Sequence, residues 1–143
     1  MCREGHGAFV NLQAGLPKGM RVITGIGVDL VEISRFERSV ERTPRLVQRL
    51  FAPGERVLPV RSLAARFAAK EALIKALGGS EGLHWTEIEV ALEESVRPRF
   101  ALRGVTAATV ARRGISSIHL SMTRDGGFAV GYVVAECVDG TLA

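Results

Sequence analysis

The chain has 143 residues, 47% of them apolar and 24% charged, with a formal charge of +4, which suits one domain with a core and excludes extensive disorder. Two cysteines, Cys2 and Cys137, are too few for a disulfide framework or a metal-ligand cluster, so a reducing, cytoplasmic setting is expected. No apolar window reaches transmembrane length and the first 20 residues lack a sustained apolar run, so neither a membrane span nor a signal peptide is expected.

Residues 1–19 are read as an N-terminal extension and residues 20–143 as the domain, because Met20 directly precedes the first convincing strand. In that strand, residues 22–31, Ile26, Val28 and Leu30 alternate with Gly25, Gly27 and Asp29, so one face is bare beside an acid. Paired glycines on a strand predict close approach of a backbone or a ligand, or a bulge. Ser34 and Glu37 form a capping box that predicts a helix start, and Thr43-Pro44 reads as a second N-cap with proline in the first turn. Arg35, Arg38, Arg42, Arg45 and Arg49 recur at intervals of three and four, which places them on one helical face. Residues 32–66 hold eight arginines against four glutamates, a basic strip suited to an acidic protein, a phosphate-rich ligand or plain solvent.

Residues 51–59, with two prolines and a glycine, predict a loop that carries Glu55 into the central helix, read over residues 66–77. Alanine, leucine and long charged side chains favour that helix, and Gly78-Gly79 ends it. On a wheel of 100° per residue, Leu63, Phe67, Ile74 and Leu77 share one arc, Ala65, Ala69, Ala72 and Ala76 another, and Glu71 with Lys75 the remainder. The alanine arc predicts another element packed closely. Lys70 falls inside the apolar arc, where it must snorkel or meet an anion. Glu71 and Lys75 read either as an ordinary i,i+4 ion pair, stabilising by roughly 0.2–0.5 kcal/mol, or, with Arg66 and Lys70, as a metal-binding carboxylate among phosphate-binding cations.

The remaining pattern predicts strands near residues 87–92 and 99–102 joined by a turn at 95–98, a short helix at 106–112, and strands at 118–123 and 128–135. Asp125-Gly126-Gly127 joins the last two as a hairpin. The fold class is therefore α+β, a small antiparallel sheet packed with helices. His119 is either a packed strand histidine or, with Ser121 and Thr123, part of a polar row able to bind phosphate. P-loop, HExxH and GxSxG motifs are absent, which leaves the common ATPase, zinc-protease and serine-hydrolase readings without support.

The segment Gly25-Ile26-Gly27-Val28-Asp29-Leu30, followed about forty residues later by Arg66-Phe67-Ala68-Ala69-Lys70-Glu71-Ala72 and Lys75-Ala76, resembles the 4′-phosphopantetheinyl transferases, and among them the short holo-acyl-carrier-protein synthases. The resemblance runs from about Met20 to Glu136. It implies transfer of the phosphopantetheine arm of coenzyme A to a serine of an acyl carrier protein, with Mg²⁺ as cofactor and adenosine 3′,5′-bisphosphate released, as in fatty acid biosynthesis.

By the same resemblance Asp29 and Glu71 hold the metal, and Lys75 faces the diphosphate. Arg66, Lys70, Arg97, His119, Ser121 and Thr123 lie toward coenzyme A, and the bare glycine face leaves room beside Asp29. The expected assembly is a homotrimer with active sites between subunits, and the arginine stripe is expected to bind the acidic carrier. Two positions differ from the family pattern, Arg124 where a histidine is usual and Val96 where a glycine is usual. Arginine keeps its charge and cannot shuttle a proton near neutral pH. The rival reading, a basic nucleic-acid-binding domain, lacks stacking aromatics along the stripe, so no nucleic-acid partner is expected.

Overall fold

The computed structural model describes residues 18–92 and 97–138. In chain order the elements are strand β1 (Arg21–Glu32), helices α1 (Ile33–Arg42), α2 (Leu46–Leu50) and α3 (Val60–Ala76), a 3₁₀ turn (Trp85–Glu87), strands β2 (Ile88–Leu92) and β3 (Pro98–Leu102), helix α4 (Gly104–Arg112), and strands β4 (Ile115–Asp125) and β5 (Phe128–Val138). This is the predicted α+β class. β5 lies between β1 and β4 in an antiparallel sheet of order β1-β5-β4, and β2 pairs with β3 in a separate two-stranded sheet. Cys2 and residues 95 and 96 of the predicted turn at 95–98 lie outside the described residues.

Helix α3 crosses one face of the sheet, and small residues let it do so. A Cβ on Gly25 or Gly27 of β1 would sit on the carbonyl oxygen of Ala76 or Ala72, and one on Gly131 of β5 would stand 2.6 Å from Ala69 Cα. The paired glycines therefore mark the approach of a backbone. The space left by the glycines themselves is filled by α3, and the open space at Asp29 lies in the groove described below. Because the strand backbones come so near, the helix buries its alanine arc. Ala65, Ala68, Ala69, Ala72 and Leu73 are core residues, whereas Phe67, Ile74 and Leu77 are only half-buried. The core forms two clusters, one around Phe36, Phe51 and Leu63 and one around Leu73, Ile88 and Val133.

Alternation in β1 turns the other row outward. Ile26, Val28 and Leu30 are 56%, 52% and 62% exposed, an apolar row on the sheet face away from α3. A register shift between Ile23 and Gly25 adds a bulge.

Two predicted caps are not used. Helix α1 starts at Ile33 behind Glu32, and the Ser34 hydroxyl donates to Glu32 Oε1 at 2.8 Å instead of capping the helix. Thr43 and Pro44 form the turn before α2, whose N-cap is Arg45. In the closing hairpin Gly126 and Gly127 take φ of 56° and 80°, the left-handed pair that a tight two-residue turn requires. No helix among the described residues is long and apolar enough to cross a membrane.

Candidate active site

Three side chains from two elements meet where β1 passes α3. Asp29 points to the helix side because it shares the register of Gly25 and Gly27. Lys75, in the last turn of α3, donates to Asp29 Oδ1 at 2.8 Å and to the Val28 carbonyl at 2.9 Å. The lysine thus reaches across to the strand instead of forming a simple i,i+4 pair along its own helix. Glu71, one turn earlier, is half-buried. Burial first, and the charge of Asp29 second, push its carboxyl above the ordinary glutamate range, with Lys75 opposing. The two carboxylates therefore share one locality with the Lys75 ammonium, which bonds to Asp29.

This locality opens into a groove of about 830 Å³ between β1, α1, α2 and α3, lined by Asp29, Glu71 and Arg35 and by the apolar surfaces of Phe36, Leu46, Leu50, Phe67 and Trp85. The aromatic wall is continuous. Phe67 lies 5.5 Å from Phe36 and stacks on Trp85 at 5.6 Å with 10° between the rings. The groove thus joins carboxylates and one guanidinium to a largely apolar, aromatic wall, the mixed lining of a small-molecule site.

Asp29 and Glu71 suit a hard divalent cation such as Mg²⁺, which takes one or two protein carboxylates and completes its shell with substrate phosphate and water. Among the described residues no group of three or more His, Cys, Asp or Glu side chains gathers, so the protein's share would be those two.

Lys70 is turned into the protein interior. Its side chain is fully buried, and its ammonium donates to Glu55 Oε2 at 2.6 Å, to the Leu50 carbonyl at 2.8 Å and to the Trp85 carbonyl at 3.4 Å, 4.7 Å above the Phe51 ring. Burial lowers its pKa and the Glu55 hydrogen bond raises it, burial being the larger effect. Glu55 also accepts from the backbone of Ala52 and Val90, so this pair ties the loop before α3 to α3 itself and to β2. The cation that needed an anion has found one inside the protein, in Glu55.

Arg66 is 7% exposed, with Nη1 donating weakly to the Ser62 carbonyl at 3.4 Å and Nε buried without a partner. Desolvation lowers its pKa. Arg97 is exposed just before β3.

The sheet separates the remaining predicted residues from the carboxylates. His119, Ser121 and Thr123 alternate with Ile118, Leu120 and Met122, which pack toward α3. The polar row is therefore exposed on the opposite face, where His119 pairs with Glu136 at 2.8 Å. Within one chain it does not meet Asp29, Glu71 and Lys75. Arg35, Arg38, Arg42, Arg45 and Arg49 are all exposed along α1 and α2, and Arg35 reaches the groove.

Sequence reasoning passed over the Glu55 partnership and the aromatic wall. Lys70 in an apolar arc signalled that an anion was needed, but a partner fifteen positions away follows no local period. Trp85 carried no signal of its own.

The sequence pattern of the 4′-phosphopantetheinyl transferase superfamily matches residues 25–133. A holo-[acyl-carrier-protein] synthase of Clavibacter michiganensis is 60% identical over 115 residues, covering 80% of this chain and 97% of that protein. Among solved structures, the holo-[acyl-carrier-protein] synthase of Neisseria meningitidis superposes with a TM-score of 0.75 at 30% identity, over 80% of this chain and 98% of that one. The Helicobacter pylori holo-[acyl-carrier-protein] synthase, solved in complex with coenzyme A, gives 0.68 at 32% identity, over 77% and 98%.

Proposed function

Because the chain belongs to the 4′-phosphopantetheinyl transferase superfamily, in its holo-acyl-carrier-protein synthase branch, we propose that it moves 4′-phosphopantetheine from coenzyme A to a serine of an apo acyl carrier protein, depends on Mg²⁺, and releases adenosine 3′,5′-bisphosphate. Its place is then fatty acid biosynthesis in the cytoplasm, with residues 20–143 as the catalytic domain. The observation that carries this reading is the meeting of Asp29, Glu71 and Lys75 at the charged end of an aromatic-walled groove.

Asp29 and Glu71 would hold the metal, whose chemistry when bound is to neutralise the diphosphate and polarise the phosphorus under attack. Lys75, on the same helix face as Glu71, adds positive charge where the bond to the leaving phosphate breaks. The groove's apolar wall receives the pantetheine arm and keeps water from the reacting centre. Arg66 keeps a role at the coenzyme's phosphates, supported by its buried, unpartnered Nε. Lys70 is assigned to the scaffold.

His119, Ser121, Thr123 and Arg97 serve coenzyme A from a neighbouring copy. The sheet that separates His119, Ser121 and Thr123 from Asp29 supports this for those three, as does the exposed apolar row of Ile26, Val28 and Leu30. A homotrimer with sites between subunits satisfies both observations. The arginine stripe binds the acidic carrier. With Arg42→Glu and Arg45→Glu, which lie outside the groove lining, apparent affinity for the carrier should fall while coenzyme A still binds. Unchanged carrier kinetics, or tight nucleic-acid binding at physiological salt that these substitutions abolish, would speak against the assignment.

A further inference from the structure

We infer that Lys75 is a placeholder for the divalent cation: it neutralises Asp29 until the metal arrives, and the exchange frees its ammonium for the diphosphate. The inference rests on the metal and diphosphate roles proposed above and adds an order of events to them. Lys75 is anchored on β1 at two points, the Asp29 carboxylate at 2.8 Å and the Val28 carbonyl at 2.9 Å. Its side chain is nonetheless 51% exposed while that of Asp29 is only 17% exposed. The lysine can therefore swing away, whereas the carboxylate stays in place.

In the absence of metal this anchorage answers an electrostatic need. Asp29 and Glu71 bring two carboxylates to one partly buried place, and the ammonium that reaches Asp29 at 2.8 Å relieves the acid it touches. A metal binding both acids does the same more completely. The oxygen of Asp29 that accepts from Lys75 cannot serve ammonium and metal at full strength, because two cations brought that close repel. On exchange the aliphatic stem of Lys75 pivots on the last turn of α3, and Nζ follows the only new anion in reach, the substrate phosphate. A cationic residue held off the diphosphate until the metal is seated also disfavours coenzyme binding in an unproductive, metal-free form.

The test is direct binding of Mn²⁺, read as the loss of the free-ion electron paramagnetic resonance signal, to the full chain without coenzyme A. Lys75→Met and Lys75→Gln should each bind Mn²⁺ about tenfold more tightly than wild type, the scale of losing a competing charge-assisted hydrogen bond. Arg35→Met removes a groove cation that does not touch Asp29 and should change the affinity less than about threefold. Adding coenzyme A should close most of the gap between wild type and the Lys75 variants. Equal or weaker binding by both Lys75 variants overturns the inference, and so does tightening by Arg35→Met of the same size, which would show a general charge effect. In either case a protein whose transfer still requires metal leaves the proposed function intact. Failure of every protein to bind Mn²⁺, with or without coenzyme A, overturns the metal reading and the inference together.

Discussion

Glu71 is a half-buried carboxylate held near a second acid. Burial and the charge of Asp29 raise its pKa above the ordinary value of 4.5. The folded state thus favours the protonated acid, a contribution fully present below the unfolded pKa and lost as pH rises through the folded one. At neutral pH the ionised carboxylate costs stability. Glu71→Gln should therefore raise the thermal midpoint of the metal-free protein at pH 7, and the gain should shrink as pH falls toward the ordinary glutamate value; calorimetry in which the variant melts lower at pH 7 would contradict this. Lys70 is the opposite case, a charge kept for the fold. Removing one partner of a buried ion pair commonly costs about 3–5 kcal/mol, and Glu55 would keep its two backbone donors, so Lys70→Met should lose about 3 kcal/mol in urea unfolding. Adding Glu55→Gln should recover part of that loss. A Lys70→Met protein as stable as wild type would speak for the coenzyme-facing role that the resemblance implied. The spacing of Asp29, Glu71 and Lys75 was legible because strand and helix periods determine which side chains share a face. Glu55 was not, since a loop obeys no period.

At the scale of elements the sequence was most informative where geometry is local. The period-2 alternation of β1 and of the closing hairpin, and the 3.6 period of α3, follow from backbone geometry alone. Which face turns inward was less legible, because the fold buries alanine and glycine and leaves Val28 and Leu30 outside. Backbone approach decided that, and hydrophobicity scales do not register it. The capping box at Ser34 failed for a related reason: β1 runs on through Glu32 and its pairing with Phe128, so the helix begins before the serine can cap it. The close contact itself can be tested. At Gly27 an added methyl meets the Ala72 carbonyl oxygen, which is backbone and cannot rotate aside. Gly27→Ala should exceed the about 1–3 kcal/mol of ordinary overpacking, read by chemical denaturation, and should reduce transfer by moving Asp29 relative to α3. A variant within about 0.5 kcal/mol of wild type would mean that the sheet and α3 are less tightly joined than described.

For the whole molecule, the sheet is the organising fact: carboxylates and groove on one face, a polar row and an exposed apolar row on the other. A lone chain exposing Ile26, Val28, Leu30, Phe128 and Tyr132 presents the kind of patch that marks an interface. Val28→Glu should leave the fold and the Asp29–Lys75 contact in place, shift sedimentation from trimer to monomer, and lower transfer together with assembly; a monomeric wild type would refute the shared site. The account stands most directly on one measurement, the intact mass of an apo acyl carrier protein after incubation with coenzyme A, Mg²⁺ and either wild type or Asp29→Asn. The account predicts a phosphopantetheine adduct with wild type that excess chelator abolishes, and a rate at least about 10²-fold lower with Asp29→Asn. An adduct that forms undiminished in chelator, or at a similar rate with Asp29→Asn, would contradict it.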